Sequence, residues 1–160
     1  MANAKRRAGG TRRKTIKPDP VALSPETAPV MKGGMPVALG IRITSLKRKK
    51  IIAEMPIRPM HMNLNGNVNG GAIMAFADVL GAAGASANRP PGYRGGTIES
   101  KTNFFASGKG PVLTAVCIPL HIGRTTSVWQ TTITNPDGSM VALVTQTQIA
   151  VPAVREQKEG

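Results

Sequence analysis

One carboxylate stands out because it lies within an apolar segment. Asp78 is near the middle of a run rich in alanine and glycine, and no other charged residue occurs between Arg58 and Arg89. Burying a carboxylate is costly unless partners or a function compensate, and a desolvated carboxylate suits a general base. The alternative is that Asp78 faces solvent along a narrow exposed stripe. Composition alone leaves both interpretations open.

A pair of glycines that ends at Gly71, two helical turns before Asp78, suggests a second chemical group. Asn69 is a favourable helix cap, and the free backbone amides at a helix start, together with the positive end of its dipole, suit an oxyanion. Gly71 and Asp78 are separated by about 10.5 Å of helical rise, too far for both to act on one carbonyl in a single chain. Two chains related by a two-fold axis can bring them together. We therefore predict a composite site at a dimer interface.

The elements that must position these groups follow from periodicity. Alternating apolar residues predict two strands, at 39–44 and 51–57, around a charged turn at 47–50. A helix follows the Asn69 cap and ends at Asn88, before two prolines. It is apolar nearly all round, so we expect it to be buried on most sides.

Period-two patterns then dominate the rest of the chain. They predict four further strands, at residues 94–105, 112–121, 125–134 and 140–151. The predicted fold class is α+β, in the order β-β-α-β-β-β-β. We expect one antiparallel sheet wrapped around one long central helix.

Charge is distributed unevenly along the 160 residues. The formal net charge is +13, and residues 1–17 contain seven of the 21 lysines and arginines but no acid. We predict a basic disordered tail and Pro/Gly-rich lead-in over 1–36, a folded domain over 37–151 and a polar tail over 152–160. A solubilising arm is favoured over a nucleic-acid-binding one, because no aromatic residue is interleaved with the tail's bases.

Several classes of protein are disfavoured by composition. The charge of Asp78 argues against a membrane span in the longest apolar stretch, and the tail lacks the apolar stretch of a secretory signal. A single cysteine, Cys117, excludes a disulfide framework and a cysteine zinc site. We predict a cytoplasmic protein without a metal site.

Five short segments together carry a resemblance to a known family. They are NLNGNVNGG at 63–71, FAD at 76–78, TIESKTNF at 97–104, HIGRT at 121–125 and DGSMVA at 137–142. Over residues 37–151 the chain resembles hotdog-fold acyl-CoA thioesterases, of the PaaI-like and 4-hydroxybenzoyl-CoA thioesterase type. The resemblance implies hydrolysis of a CoA thioester of an acyl or aryl acid.

The resemblance also implies roles for individual residues. Asp78 is the base that activates water, or the nucleophile, and the Gly71 amide polarises the thioester carbonyl. Asn63, from the partner subunit, places the water or the thioester. Thr97 orients the attacking water. Arg124, with Thr125 in the same turn, lies where family members hold the phosphates of coenzyme A.

The resemblance implies a homodimer, or a tetramer built as a dimer of dimers. Coenzyme A is part of the substrate, so no cofactor is implied. Asn69 stands where the family has a histidine; asparagine can cap the helix and donate to a carbonyl, but it carries no charge and shuttles no proton. This leaves an acyl-CoA-binding protein without hydrolysis as an alternative. A nucleic-acid-binding role through the basic tail and residues 47–50 is less favoured.

The remaining conspicuous residues are expected to be structural. His61 and His121 are interpreted as solvated or satisfied histidines, Cys117 as a small buried hydrophobe and Trp129 as a packing residue. Five methionines are interpreted mainly as core filler, with an acyl pocket as the alternative: Met55, Met60, Met62, Met74 and Met140.

Overall fold

A computed structural model describes residues 33–153 of the chain. Its elements are α1 (Gly34–Ala38), β1 (Arg42–Lys47), β2 (Lys50–Pro56), a 3₁₀ turn (Pro59–His61), α2 (Gly70–Asn88), β3 (Tyr93–Phe104), β4 (Val112–Ile122), β5 (Thr126–Thr134) and β6 (Met140–Pro152). The predicted order of six strands and one long helix is confirmed. The short helix α1 was not predicted, and it spans the expected domain start at residue 37. The basic segment 1–17 and residues 154–160 lie outside the described residues.

All six strands form one antiparallel sheet in the order β1-β2-β4-β5-β6-β3. The chain leaves β2 near one edge, passes through α2 and returns as β3 at the opposite edge. The helix must therefore cross the sheet, and it contacts all six strands. This crossing places the helix beside β3 and β6, the two strands that carry its polar partners.

The core lies between α2 and one face of the sheet. In β4 the alternation buries Leu113, Ala115 and Cys117, while the residues between them stay half-buried on the other face. The helix contributes a single buried stripe, consisting of Ile73, Phe76, Ala77, Leu80, Gly81 and Gly84.

The expectation that α2 is buried on most sides is wrong for the single chain. The opposite stripe of the helix, Gly71, Met74, Asp78 and Ala82, is exposed. One sheet can cover only one face of a helix, and the small apolar residues on the other face remain uncovered. Among residues 33–153, α2 is long and apolar enough to cross a membrane by length and composition, with a mean hydropathy of 1.3. Its buried stripe packs against the sheet, as core helices do.

Strand β3 is a long, open edge of the sheet. It has 12 residues, and nearly all of them are exposed. Within the described part of the chain it pairs with β6 on one side only. An uncovered edge strand of this length presents unpaired backbone groups to another chain.

Gly84 sets how closely the helix approaches the sheet. A Cβ at this position would lie 2.6 Å from the indole ring of Trp129. Trp129 is fully buried and donates from Nε1 to Ser127 Oγ at 2.9 Å, so the ring is held in place. This confirms the packing role expected for Trp129.

We predict that Gly84→Ala destabilises the fold by about 1–3 kcal/mol, because the added methyl overpacks the Trp129 site. Denaturant unfolding followed by tryptophan fluorescence measures the change. Ser86→Ala, on the exposed side of the same helix, is the control and should stay within about 0.5 kcal/mol. A Gly84→Ala protein as stable as the wild type would contradict the packing argument.

Candidate functional site

The carboxylate of Asp78 is held by two donors from the sheet. Thr97 Oγ1, on β3, donates to Asp78 Oδ1 at 2.8 Å, and Gln146 Nε2, on β6, donates to the same oxygen at 2.9 Å. Within the described residues Oδ2 accepts no hydrogen bond, and Asp78 lies on the exposed stripe of α2. One carboxylate oxygen is therefore fixed while the other faces outward.

A third polar residue extends this network behind Thr97. Gln148 Nε2 donates to Thr97 Oγ1 at 2.9 Å, which leaves the hydroxyl proton of Thr97 for Asp78. Gln146 is fully buried and Gln148 is 2% exposed. Both glutamines thus lie on the buried face of β6, which faces the helix.

Gly81 gives Gln146 room to reach the carboxylate. A Cβ at Gly81 would overlap the side-chain amide of Gln146. Gln146 Oε1 is buried and has no hydrogen-bond partner among the described residues. Such an unpaired oxygen costs stability, so the glutamine is better suited to holding Asp78 than to stabilising the fold.

The sequence analysis found Asp78 and Thr97 but missed Gln146 and Gln148. A signal was present, because the period-two pattern that buries Ala142 and Val144 continues to 146 and 148. Polar residues on the buried face of a strand are unusual unless they are paired. Their partner is not visible without knowing that β6 lies beside β3.

The start of α2 is capped as expected, with one consequence for its chemistry. Asn69 Oδ1 accepts a hydrogen bond from the Gly71 amide at 2.7 Å. The amide that the resemblance assigns to the thioester carbonyl is thus occupied in this structure. The side-chain Nδ2 of Asn69 is a second donor at the same end of the helix.

Asn63 shapes the loop that leads to this cap. Its Oδ1 accepts from the backbone amides of Asn65 and Asn67 at 2.9 and 3.0 Å, and the His61 carbonyl accepts from the Asn69 amide at 2.7 Å. Asn63 does not contact Asp78 in the same chain. The loop instead fixes the position of Asn69.

The two histidines differ in their surroundings. His61 is fully buried, and its Nδ1 accepts from the Arg58 amide at 3.1 Å. Burial is the main cause that lowers the pKa of His61, and the positive charge of Arg58 lowers it further. His121 is exposed. His121 fits the solvated interpretation, whereas His61 is satisfied only at Nδ1, because its buried Nε2 has no hydrogen-bond partner among the described residues.

A cavity of about 290 Å³ opens beside Asp78. Its charged lining residues are Asp78, Arg89 and Arg124, and Thr97 and Gln148 form part of its wall. Arg124 therefore lines the same cavity as Asp78. Arg89, at the end of α2, was missed because nothing in its local sequence marks it.

Thr125 does not line this cavity, contrary to the expectation from the motif. Its carbonyl accepts from the Ala150 amide at 2.7 Å and ties the turn to β6, while Thr126 and Ser127 line the cavity instead.

Cys117 lies outside the site. It is fully buried in the core, and burial raises the pKa of its thiol to about 11. A thiol in this state is not a nucleophile near neutral pH. Within residues 33–153, no group of three or more histidine, cysteine, aspartate or glutamate side chains could hold a metal ion.

Comparison with known proteins now identifies the family. The sequence profile of the thioesterase superfamily matches residues 65–142. A proofreading thioesterase of Cronobacter turicensis is 35% identical over 101 residues, which cover 62% of this chain and 73% of that protein. This chain belongs to the thioesterase superfamily.

Solved structures agree with this assignment. A thioesterase from Haemophilus influenzae superposes with a TM-score of 0.77 at 21% identity, over 84% of this chain and 94% of that one. A hypothetical thioesterase from Streptococcus pneumoniae, in a structure with coenzyme A, gives a TM-score of 0.64 at 26% identity, over 70% and 86%. The α+β hotdog fold that the resemblance implied is confirmed, and so is membership of a family whose relatives are named as thioester hydrolases.

We predict that Gln146→Leu lowers the thioesterase kcat by about 10- to 100-fold, because a hydrogen bond to a charged group is lost. The melting temperature should stay the same or rise, since the substitution keeps the volume and removes the unpaired Oε1. Gln130→Leu, on the strand β5, is a matched control that should retain activity. A fall in melting temperature without loss of kcat would show that Gln146 is only structural.

We also predict that His61 makes stability depend on pH. The folded-state pKa of His61 lies below its ordinary value of 6.5, so the unfolded chain binds the proton more readily. Stability should be complete above pH 6.5 and should decline as the pH falls below it. Melting temperatures between about pH 5.5 and 7.5 test this. His61→Gln should flatten the dependence, whereas His121→Gln should leave it unchanged.

Proposed function

We propose that this protein is an acyl-CoA thioesterase whose active site is shared between two protomers. The observation that carries the proposal is the carboxylate of Asp78, with Oδ1 fixed by Thr97 and Gln146 and Oδ2 open beside a cavity with two arginines. A fixed carboxylate with one free oxygen is suited to take a proton from water. The neighbouring positive charge is suited to an anionic substrate.

One protomer supplies the base and the coenzyme site. Arg124 and Arg89 line the cavity next to Asp78, and guanidinium groups form strong, charge-assisted hydrogen bonds with phosphate. The pantetheine arm of the substrate would then run along this cavity and bring the thioester sulfur towards Asp78. Coenzyme A enters as part of the substrate.

The second protomer supplies the carbonyl site. Gly71 and Asp78 lie on the same exposed stripe, two turns apart, so a two-fold axis across this stripe would set one helix start against the other chain's Asp78. The exposed stripe of α2 and the open edge of β3 are suitable surfaces for such a dimer. Asn69 and Asn63 would reach the substrate from this side.

The proposed reaction uses Asp78 as a general base. Oδ2 removes a proton from water, and the resulting hydroxide attacks the thioester carbon. The tetrahedral oxyanion is stabilised by Asn69 Nδ2 and by the Gly71 amide when it exchanges Asn69 Oδ1 for the substrate oxygen. Collapse breaks the C–S bond and releases the carboxylic acid. The coenzyme A thiolate takes the proton held on Asp78.

We predict that Asp78→Asn lowers kcat by about 10²- to 10⁴-fold, the usual contribution of a general base. Thiol release from short, medium, long and aromatic acyl-CoAs measures the effect. Glu54→Gln removes a carboxylate from the exposed Arg42–Glu54 ion pair and should leave kcat unchanged. Full activity of Asp78→Asn, or no turnover of any of these thioesters by the wild type, would refute the proposal.

Mixing two inactive variants tests the shared site. Asn69→Asp keeps a good helix cap but replaces the carbonyl donor with a negative charge. When Asp78→Asn and Asn69→Asp subunits exchange freely, about a quarter of wild-type activity should return, because half of the dimers contain one intact site of two. No recovery despite subunit exchange would show that each chain forms its site alone.

The occupied Gly71 amide favours one alternative. Because Asn69 Oδ1 already binds this amide and asparagine carries no charge, the protein could bind acyl-CoA without hydrolysing it. Calorimetry that shows tight binding of acyl-CoA, together with absent thiol release, would support this reading. The cytoplasmic location, the tetramer and the role of the basic segment 1–17 stay predictions.

A further inference from the structure

A second cavity lies at the other end of the exposed stripe of α2. Its volume is about 580 Å³, within the range of small-molecule sites. Asn69 and Gly71 form one wall, and Met35, Met60 and Met62 form the others, together with Leu39 and alanine side chains. None of the lining residues that the structure describes is charged. We call it the methionine cavity.

Two methionines of this cavity are exposed, whereas Met62 packs against the core. This corrects the core-filler interpretation for Met60. Met55 is fully buried in the core as expected, but Met60 is 60% and Met35 is 65% exposed. Exposed methionines grouped around one concave surface mark a binding site for apolar ligands. Met35 is carried by the unpredicted helix α1, and Met60 by the 3₁₀ turn.

We propose that the methionine cavity binds the acyl group and that the preferred substrates carry an unsubstituted aliphatic chain. This inference rests on the proposed function. A thioester carbonyl bound at Asn69 and Gly71 lies at the wall of the cavity, so the acyl chain can enter it directly. The coenzyme end of the same substrate would point to the partner's Arg124 across the shared site.

The chemistry of the cavity wall determines the class of acyl group. Among the lining residues within 33–153, Asn69 has the one polar side chain, and that side chain already serves the cap and the carbonyl. A hydroxyl or carboxylate on the acyl group would lose its hydration without gaining a partner. Methionine side chains are flexible and polarizable, so they can adapt to chains of different length. The site is thus suited to aliphatic rather than hydroxylated aromatic acyl groups.

The test compares acetyl-, butyryl-, hexanoyl- and octanoyl-CoA with 4-hydroxybenzoyl- and succinyl-CoA on the full-length protein. We expect kcat/KM to rise about fourfold for each added methylene until the cavity is full. The two polar substrates should be poorer than hexanoyl-CoA. Calorimetric affinities for the same thioesters should follow the same order.

Two methionine variants test whether the dependence of kcat/KM on acyl-chain length arises from the methionine cavity. Met60→Gln keeps the side-chain length at an exposed position, and it should lower kcat/KM for octanoyl-CoA by about fivefold while acetyl-CoA changes less than about twofold. Met140→Gln removes an exposed methionine outside the cavity and should change neither. Both variants replace an exposed methionine by glutamine, so Met140→Gln controls for the general effect of this substitution on the protein.

The outcomes separate this inference from the proposed function. Hydrolysis without chain-length dependence, or with 4-hydroxybenzoyl-CoA as the best substrate, overturns the aliphatic acyl site and leaves the thioesterase proposal intact. An equal loss with acetyl- and octanoyl-CoA in Met60→Gln also overturns it. If no thioester is hydrolysed, the proposed function fails, and the calorimetric series still decides whether the cavity binds aliphatic chains.

Discussion

The hydrogen bonds to one oxygen of Asp78 connect the three elements on which the site depends. They join α2 to β3 and β6, the two strands at the open edge of the sheet. Such contacts require the helix to approach the sheet closely, and two glycines on its buried stripe permit this. Gly81 leaves space for Gln146, and Gly84 leaves space for Trp129. The position of the carboxylate is thus a consequence of how tightly the helix packs.

The surroundings of α2 are chemically different at its two ends. Arginine side chains lie near the cavity beside Asp78, whereas the cavity at the helix start is lined by methionine, leucine and alanine. An acyl-CoA has the same asymmetry, with a charged nucleotide at one end and an apolar chain at the other. In the proposed dimer the antiparallel helices would set the two kinds of cavity next to each other across the axis.

The exposed surfaces of the single chain have a common cause. The sequence analysis treated the apolarity of α2 as a sign of burial on most sides, but a single six-stranded sheet covers only the stripe that faces it. The small residues on the other stripe, and the uncovered edge strand β3, remain exposed. A second copy of the chain would cover both in the proposed dimer, which would bring the burial closer to what the composition suggested.

The sequence by itself determined the features that depend on neighbouring residues: the order of the elements, the cap at Asn69 and the turns between strands. The resemblance of short segments added the family and the assignment of Asp78 and Thr97 to one site, whereas their hydrogen bond was found in the structure. Only the tertiary structure decided that Gln146 and Gln148 join the network, that Arg89 reaches the same cavity, and that Asn69 occupies the Gly71 amide. Gln146 lies 68 residues from Asp78 along the chain, so their contact depends on strand order and register. Local periodicity does not encode strand order or register, because both result from packing of the whole sheet against one helix.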